Sequence, residues 1–121
     1  MVVKSFTQDF SVCKIKDISQ VDFNDTFCFL GKTDEEISLV CLTSKVPSNA
    51  TQQEDGWKAM RIEGELDFSL IGVLSRISGI LAAQNIGIFV VSTYNTDYIL
   101  TKQENYERAL FSLKEAGYEV E

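Results

Sequence analysis

Between residues 57 and 102 the spacing of apolar residues changes period three times, and each change predicts an element. Lys58, Met60 and Ile62 alternate with Trp57, Ala59 and Arg61, which predicts a strand with two distinct faces. Past Gly64 the apolar positions Leu70, Val73, Leu74, Ile77, Ile80 and Leu81 return at three- and four-residue steps, with Gln84 in the same series. That period predicts an amphipathic helix of about four turns, beginning near Ser69 and ending near Asn85 and Gly87. Ile86 to Val91 is apolar at nearly every position, the pattern of a central strand covered on both faces. Thr93 to Asp97 is a polar tip, and Tyr98 to Leu100 returns antiparallel. A second helix is expected from Gln103 to Ala116, with Tyr106, Ala109, Leu110 and Leu113 inward, Thr101 and Glu104 as a capping box, and Gly117 as its stop. Tyr118 and Val120 leave room for a short final strand.

The first half reads differently. Phe10 to Ile15, Thr26 to Leu30 and Ile37 to Leu42 are short apolar runs of strand length, with Thr33 to Glu36 as a turn. Pro47 to Gly56 is polar and turn-rich, so it is expected to join two halves, 1–56 and 57–121. The second half has the order βαββα with an optional last β. The class is α+β, an antiparallel sheet with helices on one face.

Polar residues of the second half gather at the helix entrance (Glu65, Asp67, Ser69) and at the hairpin tip (Thr93 to Asp97). A parallel crossover is expected to bring these places together, forming a crevice suited to a small zwitterion. The first amides of a helix have no intrahelical partner and carry positive potential, which seats a carboxylate. Gly72 lets a ligand approach the backbone, or it permits close helix packing. Asp97 and the carbonyls of Thr93 to Thr96 can take an ammonium, although Asp97 equally suits a turn residue bonded to its own backbone. Asp67 and Ser69 also fit as helix caps, and Tyr94 as packing or interface.

Charge and composition narrow the partners. A net charge of −7 disfavours phosphate backbones and anionic lipid, so neither nucleic acid nor membrane is expected. No apolar run is long enough to span a bilayer and the first ten residues lack a signal-peptide pattern, so a cytoplasmic protein is expected. With 3 cysteines at long spacings and no histidine, no zinc site or other cofactor is expected. Cys13, Cys28 and Cys41 each lie in apolar strand-like contexts, the setting of small buried hydrophobes in a reducing compartment. The commonest general base is absent, and no phosphate-binding or nucleophile-elbow motif occurs. Lys14 adjoins Cys13 but points to the opposite face of a strand. An enzyme is therefore not expected.

Two runs, Glu63 to Leu74 (EGELDFSLIGVL) and Ile88 to Leu100 (IFVVSTYNTDYIL), resemble the bacterial ACT proteins related to the CASTOR arginine sensors. FSVCKI, FCFLGKTDEEISLVCLTSKVP and GWKAMRIEG follow the order of that family's N-terminal half. The resemblance implies a ferredoxin-like ACT fold in two ACT-like units, the first degenerate and the second a complete βαββαβ. It implies a non-catalytic regulatory sensor of a free amino acid, assembled as a homodimer with the effector at an ACT–ACT seam. The matching site positions are Asp67, Ser69, Ile71, Gly72 and Val73 at the helix entrance, and Thr93, Tyr94, Asn95, Thr96 and Asp97 in the loop after the central strand. The alternative is an assembly module that pairs through a sheet edge and binds no small molecule.

Overall fold

A computed structural model describes residues 1–63 and 72–121. The expected site residues Asp67, Ser69 and Ile71 lie outside the described residues. The chain forms two compact units, Gln8–Trp57 and a second made of Met1–Thr7 with Lys58–Glu121. The division therefore falls one residue beyond the expected boundary, and the first seven residues join the second unit.

The Gln8–Trp57 unit holds β2 (Phe10–Ile15), β3 (Cys28–Lys32), β4 (Ile37–Leu42) and residues 50–57 of β5 (Ala50–Ile62). Its strands lie in the order β3-β4-β2-β5, antiparallel throughout. It contains no α-helix, only a single 3-10 turn at Thr43–Lys45. The polar segment expected to be a linker is instead the first part of β5. Residues 51–55 are exposed, yet they extend the ladder beside β2. Backbone pairing does not depend on side-chain polarity, so an edge strand can be polar on both faces.

In the other unit β1 (Val2–Ser5) pairs antiparallel with β5 and parallel with β8 (Glu119–Val120), while β7 (Asp97–Lys102) pairs with β5 and with β6 (Phe89–Ser92). The sheet is mainly antiparallel, as expected, with one parallel pair where β1 slots between β8 and β5. Among the described residues β6 pairs with β7 alone, so the strand that reads as central is an edge. Its apolar start has another use, since Ile86 is buried as part of a helix stop.

Both helices, α1 (Val73–Ala83) and α2 (Gln103–Glu115), pack on one face of this sheet. Ile77 and Leu81 of α1 meet Ala109 and Leu113 of α2 over Val3, Met60, Ile62 and Ile99, all essentially excluded from water. Burial of each such side chain contributes roughly 1.5–3 kcal/mol. Tyr106 ties α2 to the sheet: its hydroxyl donates to the Ala59 carbonyl at 2.5 Å and accepts the Phe6 amide at 3.1 Å.

α2 starts at Gln103 as expected and both stops agree with expectation, whereas α1 starts later than expected. α1 begins at Val73, after Gly72 at φ 86°, and no side chain caps it. The expected caps Asp67 and Ser69 lie outside the described residues. The expected capping box of α2 does not form, because Thr101 is buried within β7 and bonds the Lys102 carbonyl. Both stops are Schellman motifs. Asn85 at φ 59° bonds Ala82, and the Ile86 amide returns to Leu81. Gly117 at φ 103° bonds Lys114, and the Tyr118 amide returns to Leu113.

Two glycines separate backbone conformation from packing, since an added Cβ meets nothing within 4 Å at Gly79 or Gly117. Gly79→Ala, inside α1, raises stability by about 0.5–1 kcal/mol. Gly117→Ala lowers it by about 1–2 kcal/mol through left-handed strain. Urea unfolding of both variants checks the opposite signs.

The buried acids of the fold are thiols and a phenol. Burial pushes the Cys41 thiol up to about 12 and raises Cys13, Cys28 and Tyr106 above their ordinary values. Raised groups stay protonated in the fold where the unfolded chain ionises. Their contribution is complete below the unfolded values, 9.0 for a thiol and 10.0 for the phenol, and is lost as pH rises through the folded ones. The thermal midpoint should fall progressively above pH 9, and Cys41→Ser should flatten part of that slope even if it lowers the whole curve.

Candidate functional site

The end of β5 gathers the polar groups of the second unit. The Ile62 carbonyl accepts from Thr96 Oγ1 at 2.7 Å, and the Glu63 amide donates to the Val2 carbonyl at 2.9 Å. The hairpin tip therefore stands at the end of β5 from which the chain leaves toward α1. Within the tip the Thr93 amide and hydroxyl both donate to the Thr96 carbonyl, at 2.8 and 2.9 Å, and the Thr96 amide returns to Thr93 Oγ1 at 3.3 Å. Asp97 Oδ1 accepts from Ser92 Oγ at 2.6 Å, a contact that closes the hairpin. Tyr94 is 78% exposed and Asn95 is exposed, while Thr96 is buried.

Two arginines flank this region with opposite electrostatic fates. Arg61 is satisfied inside the fold. It donates to Glu63 at 2.7 Å and to the Tyr98 hydroxyl at 3.1 Å, and its guanidinium lies over the Phe6 and Tyr98 rings. The Glu63 bond, then the Tyr98 bond, hold its pKa above the ordinary value. Arg76 has no carboxylate within ion-pair distance among the described residues, and its guanidinium lies 5.6 Å from the Tyr118 ring.

Arg76 lines a cleft of about 290 Å³ together with Met1, Gly72, Val73, Ala116, Gly117 and Tyr118. That volume is at the small end of the roughly 300–1,000 Å³ typical of small-molecule sites, and fits a metabolite of amino-acid size. Its walls are the start of α1 and the end of α2. The α1 end is positive, with no acid balancing it among the described residues: the first intrahelical bond is Arg76 N–H to Gly72 O, and the first turn holds no acid. The α2 end presents the carbonyls that follow its last helical bonds, the negative pole of that helix. α2 is charge-matched along its length, with Glu104 in its first turn and Lys114 in its last, and α1 is not.

Of the expected site residues, Gly72 and Val73 line this cleft, and none of Thr93 to Asp97 does. The two groups share one end of β5 but flank it on different sides, because β1 and β8 stand on one side and β7 on the other. Arg76, Ala116, Gly117 and Tyr118 were not legible as site residues. A signal for Arg76 did exist: a cation in the first turn opposes the helix dipole by roughly 0.3–1 kcal/mol. It goes unread when the helix is started near Ser69, which moves Arg76 into the interior. A second hollow of about 440 Å³, beside Gln8, Asp9, Leu42, Thr43 and Ser44, lacks paired opposite poles of this kind.

A family model described as the ACT domain matches residues 52–115, more than half of the chain. Among solved structures, the protein Atu0741 of Agobacterium tumefaciens is similar over 99% of this chain and 91% of its own, with 25% identity and a TM-score of 0.87. The aspartate kinase of Clostridium acetobutylicum, an allosteric enzyme, is similar over 91% of this chain and 33% of its own, with 13% identity and a TM-score of 0.68. The regulatory subunit of aspartate kinase from Thermus thermophilus, in a ligand-free form, is similar over 95% of this chain and 96% of its own, with 10% identity and a TM-score of 0.62. The last two likenesses show the fold. The chain belongs to the ACT domain family, whose domains are regulatory, amino-acid-binding modules rather than catalytic ones.

Proposed function

We propose that this chain is a non-catalytic sensor of a free amino acid, of the CASTOR-like branch, acting in the cytoplasm as a homodimer. The effector occupies the cleft between the start of α1 and the end of α2, and an ACT unit of the paired copy covers its open side. One observation carries the reading: opposite poles of two helices line a single cleft of metabolite size. A zwitterion matches that arrangement end for end. Its carboxylate meets the α1 amides and Arg76, and its ammonium meets the carbonyls of residues 115–117. Asp67, Ser69 and Ile71, outside the described residues, remain candidate contacts from the family resemblance alone. The Thr93–Asp97 hairpin is the second wall to be tested.

The test is a thermal-shift screen of the twenty amino acids on protein freed of bound metabolite. A ligand at about a hundredfold excess over its Kd adds roughly 2.7 kcal/mol, a shift of several degrees at this size. No shift with any amino acid rejects the proposal. For the responding ligand, Arg76→Ala should weaken binding about tenfold or more, since a hydrogen bond to a charged group contributes roughly 1.5–3 kcal/mol. Asp97→Ala then decides the second wall: unchanged affinity confines the site to the helix ends, and a comparable loss adds the hairpin to it.

A second reading, an assembly module without a small-molecule ligand, is favoured by the partly exposed apolar edge of β6, which pairs with β7 alone among the described residues. The ligand response, measured with the oligomeric state by sedimentation, distinguishes it. Sensing keeps the dimer in Arg76→Ala while the ligand response is lost, whereas an assembly module shows a dimer and no ligand response in either protein.

A further inference from the structure

The 3 cysteines, far apart in the chain, meet on one face of the Gln8–Trp57 sheet. Cys13 lies on β2, Cys28 on β3 and Cys41 on β4. Cys13 and Cys41 are buried with Ile15 and Leu39, and Cys28 is half-buried at the margin of that cluster. Their registers differ in a way that matters for bond formation. Cys28 stands directly opposite Cys41 across β3 and β4. Cys13 stands opposite Leu39, so it is only diagonal to Cys41.

The hairpin turn settles the type of each pair. The Thr33 amide donates to the Glu36 carbonyl at 2.9 Å, which makes residues 33 and 36 a hydrogen-bonded pair. The ladder runs without a register shift from there to Cys28 and Cys41. Hydrogen-bonded and non-bonded pairs alternate, so Cys28 and Cys41 form a non-hydrogen-bonded pair. Such pairs hold their Cα atoms about 4.5 Å apart with side chains on the same face, inside the roughly 4.4–6.8 Å that a disulfide spans. Diagonal neighbours stand about 7–8 Å apart, beyond that reach without backbone movement.

We infer that Cys28 and Cys41 are a disulfide-forming pair, closed by exchange with a low-molecular-weight disulfide that enters at half-buried Cys28. In the first step the Cys28 thiol loses its proton to water and its sulfur displaces one half of the reagent as a thiolate. In the second the Cys41 sulfur, deprotonated in turn, attacks the Cys28 sulfur and expels the other half. Two protein thiols are oxidised, one reagent disulfide is reduced to two thiols, and the released protons balance the thiolates. The Cys13 thiol is hydrogen-bonded to that of Cys41 on the far side, but it is diagonal in register and stays a thiol. Burial and then Asp25 and Asp22 raise the Cys28 pKa, so its attack on the reagent is slow and quickens as pH rises, and the product is a latch across β3 and β4.

The test incubates the full-length chain, freed of reductant, with oxidised glutathione, blocks residual thiols with an alkylating reagent, and maps peptides by mass spectrometry without reduction. The expected result is a Cys28–Cys41 linked peptide with Cys13 alkylated, and a fall in titratable thiols from three to one. Cys13→Ser should keep the linkage, and Cys28→Ser should abolish it. Glutathione left as a mixed disulfide on Cys28, a linkage that includes Cys13, or three free thiols after prolonged exposure would each overturn the inference. The wild-type map is decisive even if a variant folds poorly.

Discussion

The packing of two helices on one sheet face, around Met60 and Ile62, fixes where every other feature of the second unit lies. A helix pair docked on a strand pair has little freedom once Ile77, Leu81, Ala109 and Leu113 are buried, because each lost contact costs transfer energy and leaves a cavity. The start of α1 and the end of α2 then come to the same cleft as a consequence of the fold. The two Schellman stops make this placement sharp. Each spends its left-handed residue, Asn85 or Gly117, to turn the chain back so that the next residue, Ile86 or Tyr118, joins the core.

Electrostatics divides the two arginines of this unit by function. Arg61 is neutralised by Glu63 and enclosed by two rings, so its charge is spent holding the end of β5 together. Arg76 adds to the positive pole of a helix that has neither a side-chain cap nor a first-turn acid. In a chain of net charge −7 a positive point with no acid against it among the described residues favours a bound anion. The same reasoning separates the hairpin tip from the cleft. Thr93, Thr96 and Asp97 direct the polar atoms seen here to one another, to Ser92 and to Ile62.

One architectural idea occurs twice in the chain. β3, a Thr33-led turn and β4 repeat the arrangement of β6, a Thr93-led turn and β7, and the second strand of each hairpin also pairs with a strand that precedes the hairpin, β4 with β2 and β7 with β5. The first unit keeps this order while an irregular segment and a 3-10 turn stand where the second has helices. Without helices its sheet face is filled by smaller groups, the thiols of Cys13 and Cys41 among them. That is the physical setting in which a cross-strand cysteine pair can persist as a pair of buried hydrophobes.

The sequence by itself determined the elements whose side chains face one environment. β2 and β4 were legible to the residue, and the inward face of α2 was legible from its period, because alternation and a 3.6-residue repeat follow from burial on one side. The α+β class was legible for the same reason, and the family resemblance from the runs Glu63 to Leu74 and Ile88 to Leu100. Tertiary structure decided the rest. Residues 50–56 became strand through backbone pairing, which no side chain announces. β1 took its place between β5 and β8, which four residues cannot signal. The cleft was hidden because its poles belong to two helix ends distant in the chain, and a dipole has no residue of its own to be read.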